Sequence, residues 1–246
     1  MRNHVLWIVK NDLMVNWPSF IATLLGTLLM AMITGVSLDY VIEELYNGAK
    51  LNNNTIFLDI IFLGITPSFV TLFISGPYLS FRTLKEDPFS RKLALLRSLP
   101  ISIKSIFISR IVLMCTYFIL FTICFYIVVY SNVSESSLQQ FDFTSLIYLF
   151  LFWSGYALAT GSILTYMEYG TNGKKLFLSQ VVSLFLIFIV ITFMIILFQT
   201  SVTEWSIKLI RDYQHIPVLC SILIGSIGFV TTTAALRQRL INRDYI

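Results

Sequence analysis

The residue types that most often carry catalysis or bind metals are sparse in this sequence. The chain has two histidines, His4 and His215, and three cysteines. A zinc site or a Ser-His-Asp triad needs such groups brought together, whereas the topology derived below puts the two histidines on opposite sides of a membrane. The cysteines (Cys115, Cys124 and Cys220) lie in apolar windows and are typical of packing residues. We therefore predict no metal site and no hydrolytic triad.

Two short motifs also lack the residues that their chemistry requires. Glu43 and Glu44 resemble the paired glutamates of some intramembrane proteases, but the sequence that follows, EELYNGAK, supplies no arginine. The turn Gly170–Lys175 (GTNGKK) has two residues between its glycines, where a phosphate-binding loop has four, and a second lysine where that loop has Ser or Thr. We expect no catalytic residue and no bound cofactor in this chain.

The composition explains why such chemistry is missing. Hydrophobic residues make up 57% of the 246 residues and charged residues 12%, about half the share in a soluble domain. Six windows of 20 residues or more contain no Asp, Glu, Lys or Arg, and a helix of that length crosses a hydrocarbon core of about 30 Å. The prediction is an all-α membrane protein, with residues 1–246 forming one transmembrane domain. Its spans are expected at about 19–38, 57–81, 106–130, 143–167, 176–198 and 216–236.

The loops between these spans indicate the orientation. Fourteen of the seventeen lysines and arginines lie in the N-terminal segment, in 82–110, in 168–175 and in the C-terminal tail. Loops rich in Lys and Arg remain in the cytoplasm, so both termini are predicted to be cytoplasmic and the chain to lie in the plasma membrane. The net charge of +4 includes no long tract of like charges, and we expect no nucleic-acid partner.

Polar groups inside the spans are few. Ion-coupled carriers place Asp, Glu, His or Arg near the membrane midplane. The six windows lack acidic and basic residues, so a self-sufficient secondary transporter is not expected. Asp59 and Glu168 are predicted near the headgroups, at opposite ends of their spans. Gln180 is the strongest polar group within a span, and its expected role is a hydrogen bond between helices.

The spans carry packing signals as well. Small residues recur four apart, which lets helix backbones approach closely within one chain or across a dimer; packing within the chain is the preferred interpretation. The pairs are Ala22/Gly26, Ala31/Gly35, Gly155/Ala159, Ala157/Gly161 and Ser221/Gly225. Pro67 and Pro77 predict that the second span is kinked or partly unwound.

Two segments outside the spans have helical periodicity. Residues 3–17 repeat Val5, Val9, Leu13 and Trp17 every four positions, which favours a helix lying in the membrane interface over an irregular tail. Asp12 falls close to this apolar stripe. The segment 200–215 is equally compatible with a short helix on the outer surface and with a plain loop.

The cytoplasmic segment 82–105 is the most informative stretch. Asp87 and Pro88 are typical of a helix start and Pro100 of its end. One face of this short helix is apolar, the other carries Arg91 and Arg97, and Lys92 falls within the apolar face. The apolar residues are Phe89, Leu93, Leu96 and Leu99. Such a helix is suited equally to anionic lipid and to a groove on a soluble partner.

The order of these features resembles the membrane subunits of type-2 ABC exporters. The segment LLRSLPISIKSIFISR (Leu95–Arg110) is similar to the coupling helix, Leu-Pro break and third span of such permeases, especially small Gram-positive exporters of drugs, bacteriocins and amphipathic peptides. The resemblance implies a pathway formed by two permease subunits, identical or different. Two separate ATPase subunits would bind ATP and magnesium, and the cargo would be hydrophobic or amphipathic.

The resemblance also implies which residues meet the ATPase. The coupling residues would be Asp87, Phe89, Arg91, Leu93, Leu96 and Arg97, and a second cytoplasmic contact would involve Glu168, Tyr169 and Lys174. The alternative is a non-transporting membrane protein, such as an immunity or assembly factor, that works without an ATPase.

Overall fold

The apolar windows fold as long helices. The computed structural model describes residues 2–47, 53–79 and 87–242, and those residues contain no strand. The helices are α1 (Arg2–Val15), α2 (Trp17–Asn47), α3 (Asn53–Ile60), α4 (Gly76–Leu79), α5 (Pro88–Ser98), α6 (Ile103–Ser131), α7 (Glu135–Gln140), α8 (Phe143–Gly170), α9 (Gly173–Phe198), α10 (Val202–Tyr213) and α11 (His215–Asn242). Within the described residues five of them, α2, α6, α8, α9 and α11, are long and apolar enough to cross a membrane. The chain is a helical multi-pass membrane protein.

The predicted second span, 57–81, is interrupted. After α3 the backbone forms a π-helical turn (Ile61–Ile65) and a 3₁₀ segment (Thr66–Val70), and at Thr71 it becomes extended, with φ −136° and ψ 168°. Pro67 lies in the first turn of the 3₁₀ segment, where its missing N–H and fixed φ are tolerated. The predicted partial unwinding is confirmed. Residues 80 and 81 of this span lie outside the described residues.

Contacts between helix ends define two ends of the bundle. At one, called the α5 end, α1, α5, α6, α8 and α11 share an apolar cluster made of Ile8, Leu93, Leu96, Ile106, Tyr169, Leu236 and Leu240. At the other, called the α10 end, Asp39 accepts hydrogen bonds from the Ser134 N–H at 2.9 Å and from its hydroxyl at 2.7 Å. Asp59, in α3, contacts α10, and Tyr78 packs on Phe89 of α5 with ring centroids 5.7 Å apart. The segment 53–79 therefore connects the two ends.

Helices α8 and α11 make the most extensive helix pair and meet at small residues. A Cβ built on Gly155 would lie 2.5 Å from the Ser221 hydroxyl oxygen, and one on Gly225 would lie 2.5 Å from the Gly155 carbonyl oxygen. The Ser221 hydroxyl donates a hydrogen bond to the Phe152 carbonyl at 2.5 Å. These small residues pack within the chain, as preferred from the sequence.

The two periodic segments outside the spans are both helical. Helix α1 buries Val5, Ile8 and Asp12, and Val9 and Leu13 of the predicted stripe are partly buried against the core. Trp17, the fourth residue of that stripe, begins α2 and is 56% exposed. Residues 202–213 form α10, which settles the choice between helix and loop left open by the sequence. Its buried face includes Ile207 and Ile210.

Candidate functional site

Helix α5 is capped as its sequence predicts. The Asp87 carboxylate accepts a hydrogen bond from the Ser90 N–H at 3.3 Å, Pro88 occupies the first turn, and Leu99 is extended just before Pro100. Asp87 itself has φ 41°, a left-handed conformation that Asp tolerates better than most residues. The cap fixes where α5 starts, and therefore which of its side chains face the bundle.

The apolar face of α5 is turned inward. Leu93 and Leu96 are 1% and 8% exposed and pack in the cluster at the α5 end. Phe89 is half-buried and lies near Tyr169, with ring centroids 6.2 Å apart. In this chain these three predicted coupling residues therefore anchor α5 to its own bundle. That they contact an ATPase remains an untested prediction.

The outward face of α5 carries a different set of side chains. Arg91 is exposed, Leu95 is 65% exposed and Leu99 is 38% exposed. Arg91 and Leu95, four residues apart, share one helix face, and Leu99 is exposed directly after the last helical residue. These three residues are hereafter called the α5 ridge. Leu95 was not among the coupling residues predicted from the sequence. The spacing of Leu95 and Leu99, four residues apart beside Arg91, is the signal that identifies it.

Two charges that did not fit the predicted amphipathic helices pair with each other. The Lys92 ammonium of α5 lies 2.8 Å from the Asp12 carboxylate of α1. Burial lowers the pKa of Lys92, but Tyr169 and Asp12 more than compensate, so this pKa lies above its usual value. The ammonium stays protonated at physiological pH, and the stability that the pair contributes is lost only as pH rises through the raised pKa.

A second buried ion pair joins α6 to α8. Arg110 binds Glu168, whose side chain is fully buried, and the Arg110 guanidinium lies 4.9 Å from the centre of the Tyr169 ring. Arg110 Nε and Glu168 Oε1 have no hydrogen-bond partner among the described residues. Residues of both ion pairs line one small cleft, formed by Ile8, Asp12, Leu96, Ile106, Ser109, Arg110, Leu113 and Tyr169.

The burial of Glu168 bears on the second ATPase contact that was predicted for Glu168, Tyr169 and Lys174. Glu168 and Tyr169 are 1% and 4% exposed, whereas Lys174, at the start of α9, is exposed. Glu168, predicted near the headgroups, lies at the α5 end of the bundle, where protein encloses its carboxylate. Of the three residues, Lys174 alone is exposed in the structure.

Two further arginines at this end bind helix C-termini. Arg97 of α5 donates a hydrogen bond to the Leu240 carbonyl, near the end of α11. Arg239 of α11 donates to the Gly170 carbonyl, the last residue of α8, at 3.3 Å. The last carbonyls of a helix lack partners within the helix and attract cations. Arg97 therefore fixes α5 to α11 within this chain.

At the α10 end, Asp59 joins two helices, as Arg97 does at the α5 end. Its fully buried carboxylate accepts three hydrogen bonds from the start of α10: from the Val202 N–H at 3.0 Å, and from the Thr203 N–H and hydroxyl at 2.7 Å each. Asp59 was also predicted near the headgroups. In the structure its carboxylate attaches α10 to α3, and its depth in the membrane stays a prediction.

We expect Asp59→Ala to lower the free energy of unfolding by about 2–4 kcal/mol, because three donors lose one charged acceptor. Hydrogen exchange at Val202 and Thr203, together with the melting temperature in detergent, would measure the effect. Asp212→Ala, at an exposed position of α10, is the control and should change neither. Unaltered exchange at Val202 and Thr203 in the Asp59 variant would contradict this role.

No described set of three or more His, Cys, Asp and Glu side chains is arranged to hold a metal ion. Comparison with models of known protein families, with curated proteins and with solved structures found no match. The candidate site is therefore assigned from its own geometry: a short amphipathic helix, packed in one cluster with α1, α6, α8 and α11, with the α5 ridge exposed.

Proposed function

We propose that this chain is the membrane-spanning permease subunit of an ATP-driven ABC exporter. It would work with a second permease subunit and with separate ATPase subunits that bind ATP and magnesium. The cargo is a hydrophobic or amphipathic molecule, such as a peptide, a bacteriocin or a drug. The membrane is the plasma membrane.

The observation that carries the proposal is the way in which α5 is attached to the other helices. Its inner face is fixed to α1 by Lys92 and Asp12 and to α11 by Arg97, while Arg91, Leu95 and Leu99 remain exposed. A force applied to the α5 ridge would therefore be transmitted directly to other helices. This is the property that a helix receiving motion from an ATPase requires.

The orientation and the number of spans belong to the same proposal. The α5 end is assigned to the cytoplasm because the described parts of four cation-rich segments lie there. Together the N-terminal segment, 82–110, 168–175 and the C-terminal tail hold fourteen of the seventeen lysines and arginines. The interrupted segment 53–79 is assigned as the second of six spans because it connects the two ends of the bundle. Both termini are then cytoplasmic and the α5 ridge faces the compartment that contains ATP.

The lack of charged residues in the apolar windows also supports a separate ATPase as the source of energy. The apolar windows contain no Asp, Glu, Lys, Arg or His, whereas carriers driven by ion gradients place such residues near the midplane. A transporter of this composition takes its energy from a partner.

The test is purification of the tagged full chain from membranes of its native host in mild detergent, followed by identification of its subunits and measurement of ATP hydrolysis. We expect an ABC ATPase to co-purify in stoichiometric amount. Leu95→Asp should reduce this association by about tenfold or more, since a carboxylate would be buried in an apolar contact. Its melting temperature should stay unchanged because Leu95 is 65% exposed.

Leu95→Met, which keeps the apolar surface, is the matched control and should retain the ATPase. The proposal is wrong if no ATPase co-purifies with the intact chain. It is also wrong about the α5 ridge if Leu95→Asp binds the ATPase as well as the methionine variant does.

A further inference from the structure

Two neighbouring lysines at the start of α9 are exposed and have no acidic partner. Lys174 and Lys175 follow the turn that joins α8 to α9, and α9 contacts α5 near this end of the bundle. Within the described residues neither lysine makes an ion pair. Glu168, the acid closest to them in the sequence, is buried in its pair with Arg110. The two charges are therefore available to a partner outside the chain.

A third exposed cation lies at the same turn. Arg239, near the end of α11, donates a hydrogen bond to the Gly170 carbonyl at 3.3 Å, which holds its guanidinium at the junction of α8 and α9. The described acids at the α5 end do not offset these charges, because each of them is bound within the chain. Asp12 and Glu168 form buried ion pairs and Asp87 caps α5. The turn is consequently a cationic corner of the bundle.

The two lysines lie at the level of the lipid headgroups. The charge-free window that follows them, Leu176–Phe198, has 23 residues. Such a helix is about 34 Å long, slightly more than a hydrocarbon core of about 30 Å. Lys174 and Lys175 precede this window directly, and long cationic side chains at such positions extend to the polar headgroup region.

Helix α9 leaves most of its surface to lipid. Only 6% of its spanning window is buried, against 44% for α8. The hydrogen bond between helices expected of Gln180 is absent among the described residues, where this side chain has no hydrogen-bond partner. The rest of the chain therefore covers little of α9.

The exposed apolar surface of α9 continues from the lysines. Its residues are four or three positions apart, share one helix face and are 47–62% exposed: Leu178, Val182, Phe185 and Ile189. Leu178 lies four residues after Lys174 and three after Lys175. From Leu178 to Ile189 the stripe is about 17 Å long, close to half the thickness of a hydrocarbon core of about 30 Å. A cationic end followed by such a stripe matches a molecule with an anionic head and an acyl chain.

We propose that Lys174, Lys175 and Arg239 bind the headgroup phosphate of an anionic phospholipid whose acyl chain lies along the exposed stripe of α9. A zwitterionic lipid carries its own cation, which the three side chains would repel, whereas cations near a membrane surface attract anionic lipid. This surface is distinct from the α5 ridge and does not depend on the proposed function, because no ATPase takes part. It gives Lys174 a lipid partner in place of the ATPase contact expected from the sequence.

The test uses the full chain in nanodiscs of phosphatidylcholine that contain a trace of photoactivatable lipid. The trace lipid is either phosphatidylglycerol or phosphatidylcholine, with the same diazirine placed near the headgroup end of the acyl chain. After irradiation, mass spectrometry of peptides measures the cross-links to Leu178 and Val182. We expect several-fold more cross-linking by phosphatidylglycerol at low salt, and a smaller difference at high salt because ions screen the attraction.

The double variant Lys174→Gln/Lys175→Gln should lower this preference by about fivefold or more, because each cation near the membrane surface contributes to the attraction. Lys174→Arg/Lys175→Arg keeps both charges and should retain the preference. Lys208→Gln, on α10 at the other end of the bundle, should not change it. The melting temperature in detergent should be the same for the glutamine double variant and the parent, since both lysines are exposed.

Three results would overturn the inference. The first is equal cross-linking by the two lipids in the parent chain, and the second is an undiminished preference in the glutamine variant. The third is a glutamine variant that keeps its lipid preference but loses a co-purifying ATPase, since the lysines would then bind the ATPase.

The lipid test and the ATPase test fail separately. If the lipid preference depends on the two lysines and no ATPase co-purifies with the intact chain, the lipid surface stands and the exporter assignment falls. If an ATPase co-purifies and the two lipids cross-link equally, the exporter assignment stands and the lipid surface falls.

Discussion

Glu168→Ala is expected to lower the free energy of unfolding by about 3–5 kcal/mol, because it leaves the Arg110 guanidinium buried without its counter-charge. Arg110 has 11% of its side chain exposed and lies between α6 and α8, so solvent cannot replace the carboxylate. The measurement is reversible unfolding in mixed micelles of increasing SDS content, followed by the circular dichroism of the helices. The double variant Arg110→Met/Glu168→Met should recover much of the loss, since neither charge remains.

Glu204→Ala is the matched control for this ion pair. Glu204 pairs with Lys208 one turn later on α10 at 2.7 Å, and the Lys208 side chain is 39% exposed. Exposed pairs at this spacing contribute about 0.3–0.5 kcal/mol. An equal loss in the two alanine variants would show that burial of the Arg110–Glu168 pair does not determine its contribution.

Gly225→Ala is expected to cost about 1–3 kcal/mol of stability, because the added methyl group would overlap the α8 backbone. Its Cβ would lie 2.5 Å from the Gly155 carbonyl oxygen and 3.1 Å from Gly155 Cα. These are backbone atoms and no rotamer change can move them, so α8 and α11 must separate. The same unfolding assay measures the loss.

Gly64→Ala provides the comparison. A Cβ there would be in ordinary contact with Ile187 Cδ1 at 3.5 Å, and the substitution should be close to neutral. If Gly225→Ala is also neutral, the close approach of α8 and α11 is not required for the fold.

The sequence predicted the positions of the helices along the chain far better than the contacts between them. The charge-free windows located the five long helices because a charge in hydrocarbon is costly wherever the helix packs. Asp87, Pro88 and Pro100 located α5 because capping and proline effects are local. Pro67 likewise predicted that the second apolar segment is not a regular helix. Each of these signals affects the structure of only a few neighbouring residues in the sequence.

The candidate site depended on contacts between distant segments. Asp12 and Lys92 each contradicted the apolar stripe of its own helix, and only the packing of α1 against α5 explains both. Asp59 and Glu168 were placed at the ends of their spans by the sequence, but only contacts with distant segments show that protein encloses both carboxylates. A helical wheel of α5 could not show which of its faces packs on the bundle, because Leu95 and Leu99 also form an apolar pair.

The close packing of α8 against α11 has a consequence for biosynthesis. The window of α8 is the least apolar of the five and the most enclosed by protein, at 44% buried, whereas that of α9 is the most apolar. Helix α9 can therefore partition into lipid as soon as it is made. Gly155 cannot pack against Gly225 until Gly225 has been synthesised, 70 residues later. Synthesis of those residues takes roughly 4–14 s at ordinary translation rates. During that interval the small-residue face of α8 has to be sheltered by the insertion machinery or by helices that are already in place.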